Sequence, residues 1–193
     1  MDIRSFLAFE LPPDIRGVLE RVSAEVRKSD LDIRWVRVEN IHLTVIFMGS
    51  IDQGRISHME QDIGRVCART RAFEISVKGV GFFPDMRRPR VVWLGLDGEL
   101  ERLSRFRDDL QRPLARFGIK EEKRPFRPHL TLGRFRKRGS QQRARLEEIV
   151  RKYGNLKSPP CSVEELVLFK SDLKPTGAEY TKLASWPLGG GSA

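Results

Sequence analysis

Two short stretches of this chain carry one pattern: His42-Leu43-Thr44-Val45 and His129-Leu130-Thr131-Leu132. The 193 residues hold only three histidines and five threonines, so His followed two places on by Thr, found twice, is no accident of composition. Both stretches lie in alternating runs rich in apolar and β-branched residues, and side chains two apart on a strand share a face. His42 and Thr44 are therefore expected on one face, with Leu43 and Val45 on the other. His129 and Thr131 repeat the arrangement against Leu130 and Leu132. Each apolar face needs a core to cover it, so the fold must supply two strands that are buried on one side and polar on the other. Opposed across a cleft, the polar sides would offer two imidazoles and two hydroxyls to one substrate atom.

The remaining elements follow from periodicity and breakers. Residues 2–10 read as a strand, ended by Pro12 and Pro13, which open a helix with Ile15, Val18, Leu19, Val22 and Val26 at helical spacing. Residues 33–36 read as extended, and the first His strand covers 41–48, stopped by Gly49. A helix over 55–70 contains His58, which lacks a companion Thr and reads as an ordinary surface histidine. Strands at 73–83 and 90–96 flank a polar loop with a proline at each end, and Gly79 and Gly81 imply a bulge or close packing. A helix over 99–117 contains Pro113, which would kink it, and ends at Gly118. The second His strand falls within 124–134, a basic helix over 140–153, and strands at 163–171 and 180–186 precede a flexible tail at 189–193. This order predicts an α+β protein in which residues 1–188 form a single bilobal domain. Its two pseudo-symmetric halves each carry antiparallel strands with helices on the outer face, and the active cleft lies between them.

Charge narrows the choice of partner. The net charge of +10 and pI of about 10.1 favour a polyanion, and the surplus is local. Between Lys120 and Arg145 ten Lys/Arg stand against two Glu, bracketing the second His motif. No apolar run reaches eighteen residues and the N-terminus has no signal-peptide pattern, so neither a membrane span nor export is expected. Cys67 and Cys161 show neither metal nor disulfide spacing, which suits a reduced, cytoplasmic protein. The absence of a heptad seam favours a monomer.

Two imidazoles suit phosphodiester chemistry without a metal. One neutral His can take a proton from the attacking oxygen and one protonated His can give a proton to the departing oxygen, because the reference pKa of about 6.5 keeps both forms accessible. Threonine hydroxyls can donate to the non-bridging oxygens. A hydrolytic metal site would recruit a further His or a carboxylate, and neither motif has an acid two places away on its face. Arg127 and Arg134 are candidates for phosphate contact, since the guanidinium fork matches its oxygens. Phe47 lies five places past His42, an odd offset that puts it on the core side of a regular strand unless a bulge turns it outward. Trp35 and Phe126 could stack on a base, or simply pack.

The chain resembles the two-histidine phosphoesterase superfamily, and within it the RNA 2′,3′-cyclic phosphodiesterases historically called 2′-5′ RNA ligases. RSFLAFELP, HLTVIFMG, GVGFFP with PRVVWLGL, RPFRPHLTLGR and LFKSDLKPTGAEY carry the resemblance in order over nearly the whole length, with Val45 and Met48 as slight apolar departures. The resemblance implies a metal-independent, cofactor-free hydrolase that opens a terminal RNA 2′,3′-cyclic phosphate to a 2′-phosphate, with tRNA halves or other cleaved RNA as partners. It makes His42 the proton donor, His129 the proton acceptor, and Thr44 and Thr131 the phosphate holders. Reversal of the same steps would give 2′-5′ ligation. Two alternatives stand beside it: a non-catalytic module that binds RNA ends, and a cyclic phosphodiesterase for a small nucleotide.

Overall fold

The two His strands belong to different sheets. The computed structural model describes residues 1–136, 143–175 and 177–189. In chain order the elements are β1 (Asp2–Phe9), α1 (Pro13–Arg27), β2 (Ile33–Trp35), β3 (Leu43–Asp52), α2 (Ile56–Ala68), β4 (Phe73–Phe83), β5 (Val91–Gly98), α3 (Leu100–Leu114), β6 (His129–Phe135), α4 (Arg143–Tyr153), β7 (Cys161–Val163), β8 (Glu165–Lys174) and β9 (Gly177–Pro187). One antiparallel sheet has the order β3-β1-β8-β9 and the other β2-β6-β5-β4-β7. The α+β architecture with two antiparallel sheets is thus as expected.

The sheets do not divide the chain into consecutive halves. Of the strands that follow the first His motif, β5 pairs with the second His strand β6 and β4 pairs with β5, while β8 and β9 from further along the chain join the sheet of β1 and β3. Both lobes therefore draw on both ends of the chain. Helices α1 and α4 pack on β4, α2 packs on β9 and α3, and α3 also reaches β3 and β4. The apolar residues predicted for α1 (Ile15, Val18, Leu19, Val22, Val26) are all buried. Pro113 lies in the last turn of α3, where the chain tightens into a 3₁₀ turn, Ala115–Phe117, and stops at Gly118 with φ +82°. The predicted helix start at 140–142 and the tail at 190–193 lie outside the described residues.

The predicted stop at Gly49 is instead a bulge. Strand β3 continues to Asp52, and its register against β1 slips twice, between Ile46 and Thr44 and again between Gly49 and Phe47, where Gly49 takes φ +72°. In the β4–β5 ladder Gly79 (φ +63°) is itself the extra residue, whereas at the β3 bulge Gly49 pairs with Ser5 and Met48 is the extra one. Gly81 serves close approach: a Cβ there would come within 2.3 Å of the Trp93 indole.

Helices α2 and α3 are tied by a buried charge. Asp62, 5% exposed, accepts from Arg116 beyond the end of α3 and lies 3.2 Å from Arg65 on its own helix. Both guanidinium groups are largely in water, so removing the acid strands no buried cation. Asp62→Ala should therefore cost about 2 kcal/mol, the scale of charge-assisted hydrogen bonds, rather than the larger penalty of an orphaned charge. Urea unfolding checks this, and an unchanged midpoint would show the staple to be idle.

Candidate active site

Each histidine is set at or beside the start of its strand by its neighbours' backbone. His42 immediately precedes β3, and the backbone of Asn40, two residues earlier, favours its protonated form. His129 opens β6, and its Nδ1 lies 2.7 Å from the carbonyl oxygen of Arg127, again two residues earlier. A carbonyl can only accept, so Nδ1 of His129 carries the proton and Nε2 is left with a free lone pair in the neutral ring. The motif is thus repeated in its backbone support as well as in its letters.

Aromatic rings surround both imidazoles. His42 stacks on Phe6 (4.5 Å between centroids, 20° between planes) and meets Tyr180 edge-on at 5.2 Å, with Phe169 at 6.0 Å. Phe6, Ala8, Val167 and Phe169 form a small buried apolar cluster, with Tyr180 packed against it, separate from the main core. His129 meets the edge of Phe83 at 4.9 Å, and Trp93 lies at 6.3 Å. Burial removes water from both rings and disfavours their charged forms. The His42 imidazole is pulled down to about 4, against a smaller upward effect of its Asn40 hydrogen bond. His129 is also lowered, chiefly by burial, opposed by its bond to Arg127 and aided by the charge of Arg134.

This depression has a consequence for stability. Unfolded, His42 titrates near the ordinary 6.5; folded, it resists protonation until about pH 4. Between those values the unfolded chain binds the extra proton, so stability is full above 6.5 and falls as the pH drops toward 4. The loss should amount to about 3 kcal/mol and be absent in His42→Gln. Urea titrations of both proteins at pH 7 and pH 4.5 test it; parallel losses in the two would exclude His42 as the source.

The bulges decide what shares the histidine face. In β3, Val45 and Ile46 are both buried, so the alternation slips by one and Phe47 emerges 53% exposed, with Arg4 4.6 Å above its ring. In β6 the register slips between Thr131 and Gly133, Leu132 and Gly133 are both buried, and Arg134 emerges exposed. Phe47 and Arg134 each stand five places past a histidine, and each is returned by a bulge to the face that strict alternation denies it. Thr44 and Thr131 are half-buried beside their histidines.

Strand β3 is the edge of its sheet, β6 is second from the edge of the other, and the two strands approach. Arg134 links their surroundings: its charge acts on His129 and on Tyr180, the ring against His42. Burial raises the Tyr180 phenol, with Arg134 and Arg4 pulling it back. A hollow of about 150 Å³ opens beside His42, lined by Glu10, Arg16, Asn40, Phe169, Tyr180 and Lys182 among others, without His129.

Other candidates fall elsewhere. Trp35 pairs with Gly133, lies half-buried against the core with Arg27 5.7 Å over its ring, and is on the opposite side of β2 from Arg34. Phe126 is half-buried with the guanidinium of Arg107 5.1 Å over it. Arg127 precedes the strand, so its side chain is not held in the alternation of β6, and it serves His129 through its carbonyl. His58 is exposed on α2. Sequence reasoning missed Phe6, Phe83, Trp93, Phe169 and Tyr180. Their only signal was their place in the blocks carrying the resemblance. Among the described residues no group of three or more His, Cys, Asp or Glu could hold a metal, and no helix is long and apolar enough to cross a membrane.

Comparison with known proteins places this arrangement. Residues 11–175 match the 2′-5′ RNA ligase superfamily. The RNA 2′,3′-cyclic phosphodiesterase of Methanothermobacter thermautotrophicus is 32% identical over 188 residues, 97% of this chain and 100% of that one. That of Aquifex aeolicus is 32% identical over 191 residues, 97% and 98% of the two chains. Escherichia coli LigT complexed with 3′-AMP superposes with a TM-score of 0.75 at 26% identity, covering 97% of this chain and 99% of that one. TT0787 of Thermus thermophilus shares the fold at a TM-score of 0.82 and 24% identity, covering 98% and 100%.

Proposed function

Because the chain belongs to the 2′-5′ RNA ligase superfamily, we propose that it hydrolyses RNA 2′,3′-cyclic phosphate ends to 2′-phosphates, with His42 and His129 as an acid–base pair. The observation that carries the reading is the doubled motif: two His-x-Thr faces on strands of different sheets that approach one another, with the His129 ring held by the carbonyl of Arg127.

In this scheme Nε2 of His129 takes a proton from water as the water oxygen bonds to phosphorus. The bond from phosphorus to the 3′ oxygen breaks, and His42 protonates the departing oxygen. The products are a 2′-phosphomonoester and a free 3′-hydroxyl, with the proton transferred in net from His129 to His42 through solvent before the next turnover. Thr44 and Thr131 face the growing negative charge. His42 must be protonated to act, and an anion drawn beside it favours that form against the cost of burial. Phe47, exposed on the same face, suits a base of the terminal nucleotide. The backbone supports both rings alike, so which ring gives and which takes follows from how the phosphate lies between them. In reverse the same groups would form a 2′-5′ linkage.

RNA ending in a 2′,3′-cyclic phosphate, incubated with chelator, should yield a 2′-phosphate at the full rate. A 3′-phosphate would reverse the assignment of the two histidines, and loss of activity in chelator would end the metal-free scheme. The pH profile of kcat/KM should be bell-shaped with both limbs on the acid side of 6.5, the lower near 4, because it reports the free-enzyme imidazoles.

A further inference from the structure

We propose that Arg34 of β2 and Arg134 of β6 form a paired guanidinium clamp for the backbone phosphate of the nucleotide preceding the cyclic end, selecting polynucleotides over mononucleotides. The inference rests on the RNA-end reading above. Arg34 and Arg134 are direct cross-strand partners in the β2–β6 ladder, and both are exposed. Directly opposed residues of antiparallel strands project from the same face, so two positive side chains stand side by side. That arrangement repels in the free protein unless an anion joins it.

Neighbouring arginines are occupied differently. Arg27 donates to the carbonyl of Val36 and lies over Trp35; Arg136 pairs with Asp32 at 3.9 Å, and Arg145 with Asp30 at 3.6 Å. Among the described residues, Arg34 and Arg134 have neither an ion pair nor a side-chain hydrogen bond. Residues 137–142, Lys-Arg-Gly-Ser-Gln-Gln, contain no acid that could serve them. Asp32, the acid immediately before β2, is the partner of Arg136.

Position identifies the ligand. Arg134 lies five residues along from His129, at most about 16.5 Å at 3.3 Å per residue and less for the bulge between them, and its field still reaches the rings around both histidines. Arg34 is one strand further out, about 5 Å, on the side away from β5. An anion held by both therefore lies beyond the phosphorus under attack, along the chain that bears it. A mononucleotide cyclic phosphate has no second phosphate to place there. Two forked guanidiniums suit the paired oxygens of a phosphodiester better than a single ammonium would.

The test compares Arg34→Gln and Arg34→Lys with the unmodified protein on adenosine 2′,3′-cyclic phosphate and on a short RNA oligomer with the same end. In Arg34→Gln the ratio of kcat/KM for oligomer over mononucleotide should fall about tenfold, mainly through KM. The slope of log(kcat/KM) against log salt for the oligomer should shrink by about 0.7, the share of one single-strand phosphate. Arg34→Lys should keep the salt slope and recover only part of the ratio. An unaltered ratio in Arg34→Gln overturns the clamp. Fluorescence anisotropy with a 3′-hydroxyl oligomer separates this from the parent reading. If the unmodified protein hydrolyses neither substrate, the proposed function fails, while a tenfold binding loss in Arg34→Gln still supports the clamp and unchanged binding still overturns it.

Discussion

Replacing either His42 or His129 with alanine is expected to lower kcat on a cyclic-phosphate RNA end by about 10²–10⁴-fold, with little change in KM. In the proposed scheme each imidazole moves one proton in the transition state, and among the described residues the rings packed about them, Phe6, Phe169, Phe83, Trp93 and the raised phenol of Tyr180, offer no second imidazole. The double variant should lose far less than the product of the two single losses, because one proton transfer without the other achieves little. Both variants should fold, since each ring is only partly buried and sits at a strand start. Single-turnover rates with purified product identification are the measurement. A full rate in either single variant would remove that imidazole from the chemistry.

The second large effect concerns the hydroxyls. Thr44→Val and Thr131→Val keep the β-branched shape that each strand accommodates and remove only the donor. Each should lower kcat by about 10²-fold if its hydroxyl meets the phosphate oxygens as charge builds there, while the urea midpoint stays within experimental error. A rise in KM with kcat intact would mean that the hydroxyl grips the ground state alike and does not discriminate the transition state.

The histidine faces were legible because the two-residue repeat of a strand is a local property: His42 with Thr44 and His129 with Thr131 needed only alternation. Phe47 and Arg134 were harder, since their odd offset points the wrong way on any regular strand. The bulges that return them depend on pairing with β1 and β5, strands distant in sequence. The aromatic walls were hidden for the same reason. Phe6 and Phe169 are direct partners across β1 and β8, 163 positions apart, and no local pattern joins them. Gly49 misled by its type: glycine at a strand end and glycine in a bulge use the same left-handed freedom, and only the partner strand tells them apart. For Trp35 and Phe126 the sequence left packing and stacking both open, because aromatic residues near a site serve either role until their neighbours are known.

The placement of β1 between β3 and β8 sets a timetable for the growing polypeptide. β1 can bind β3 soon after both are made, but its other edge must wait for β8, which lies far downstream in the sequence. Until then Phe6 and Ala8 lack the Val167 and Phe169 cover that completes the platform beneath His42. A nascent chain halted before residue 165 would therefore present a half-sheet with an open hydrogen-bonding edge, a natural client for chaperones. The aromatic wall about His42 is complete only when β8 has joined β1.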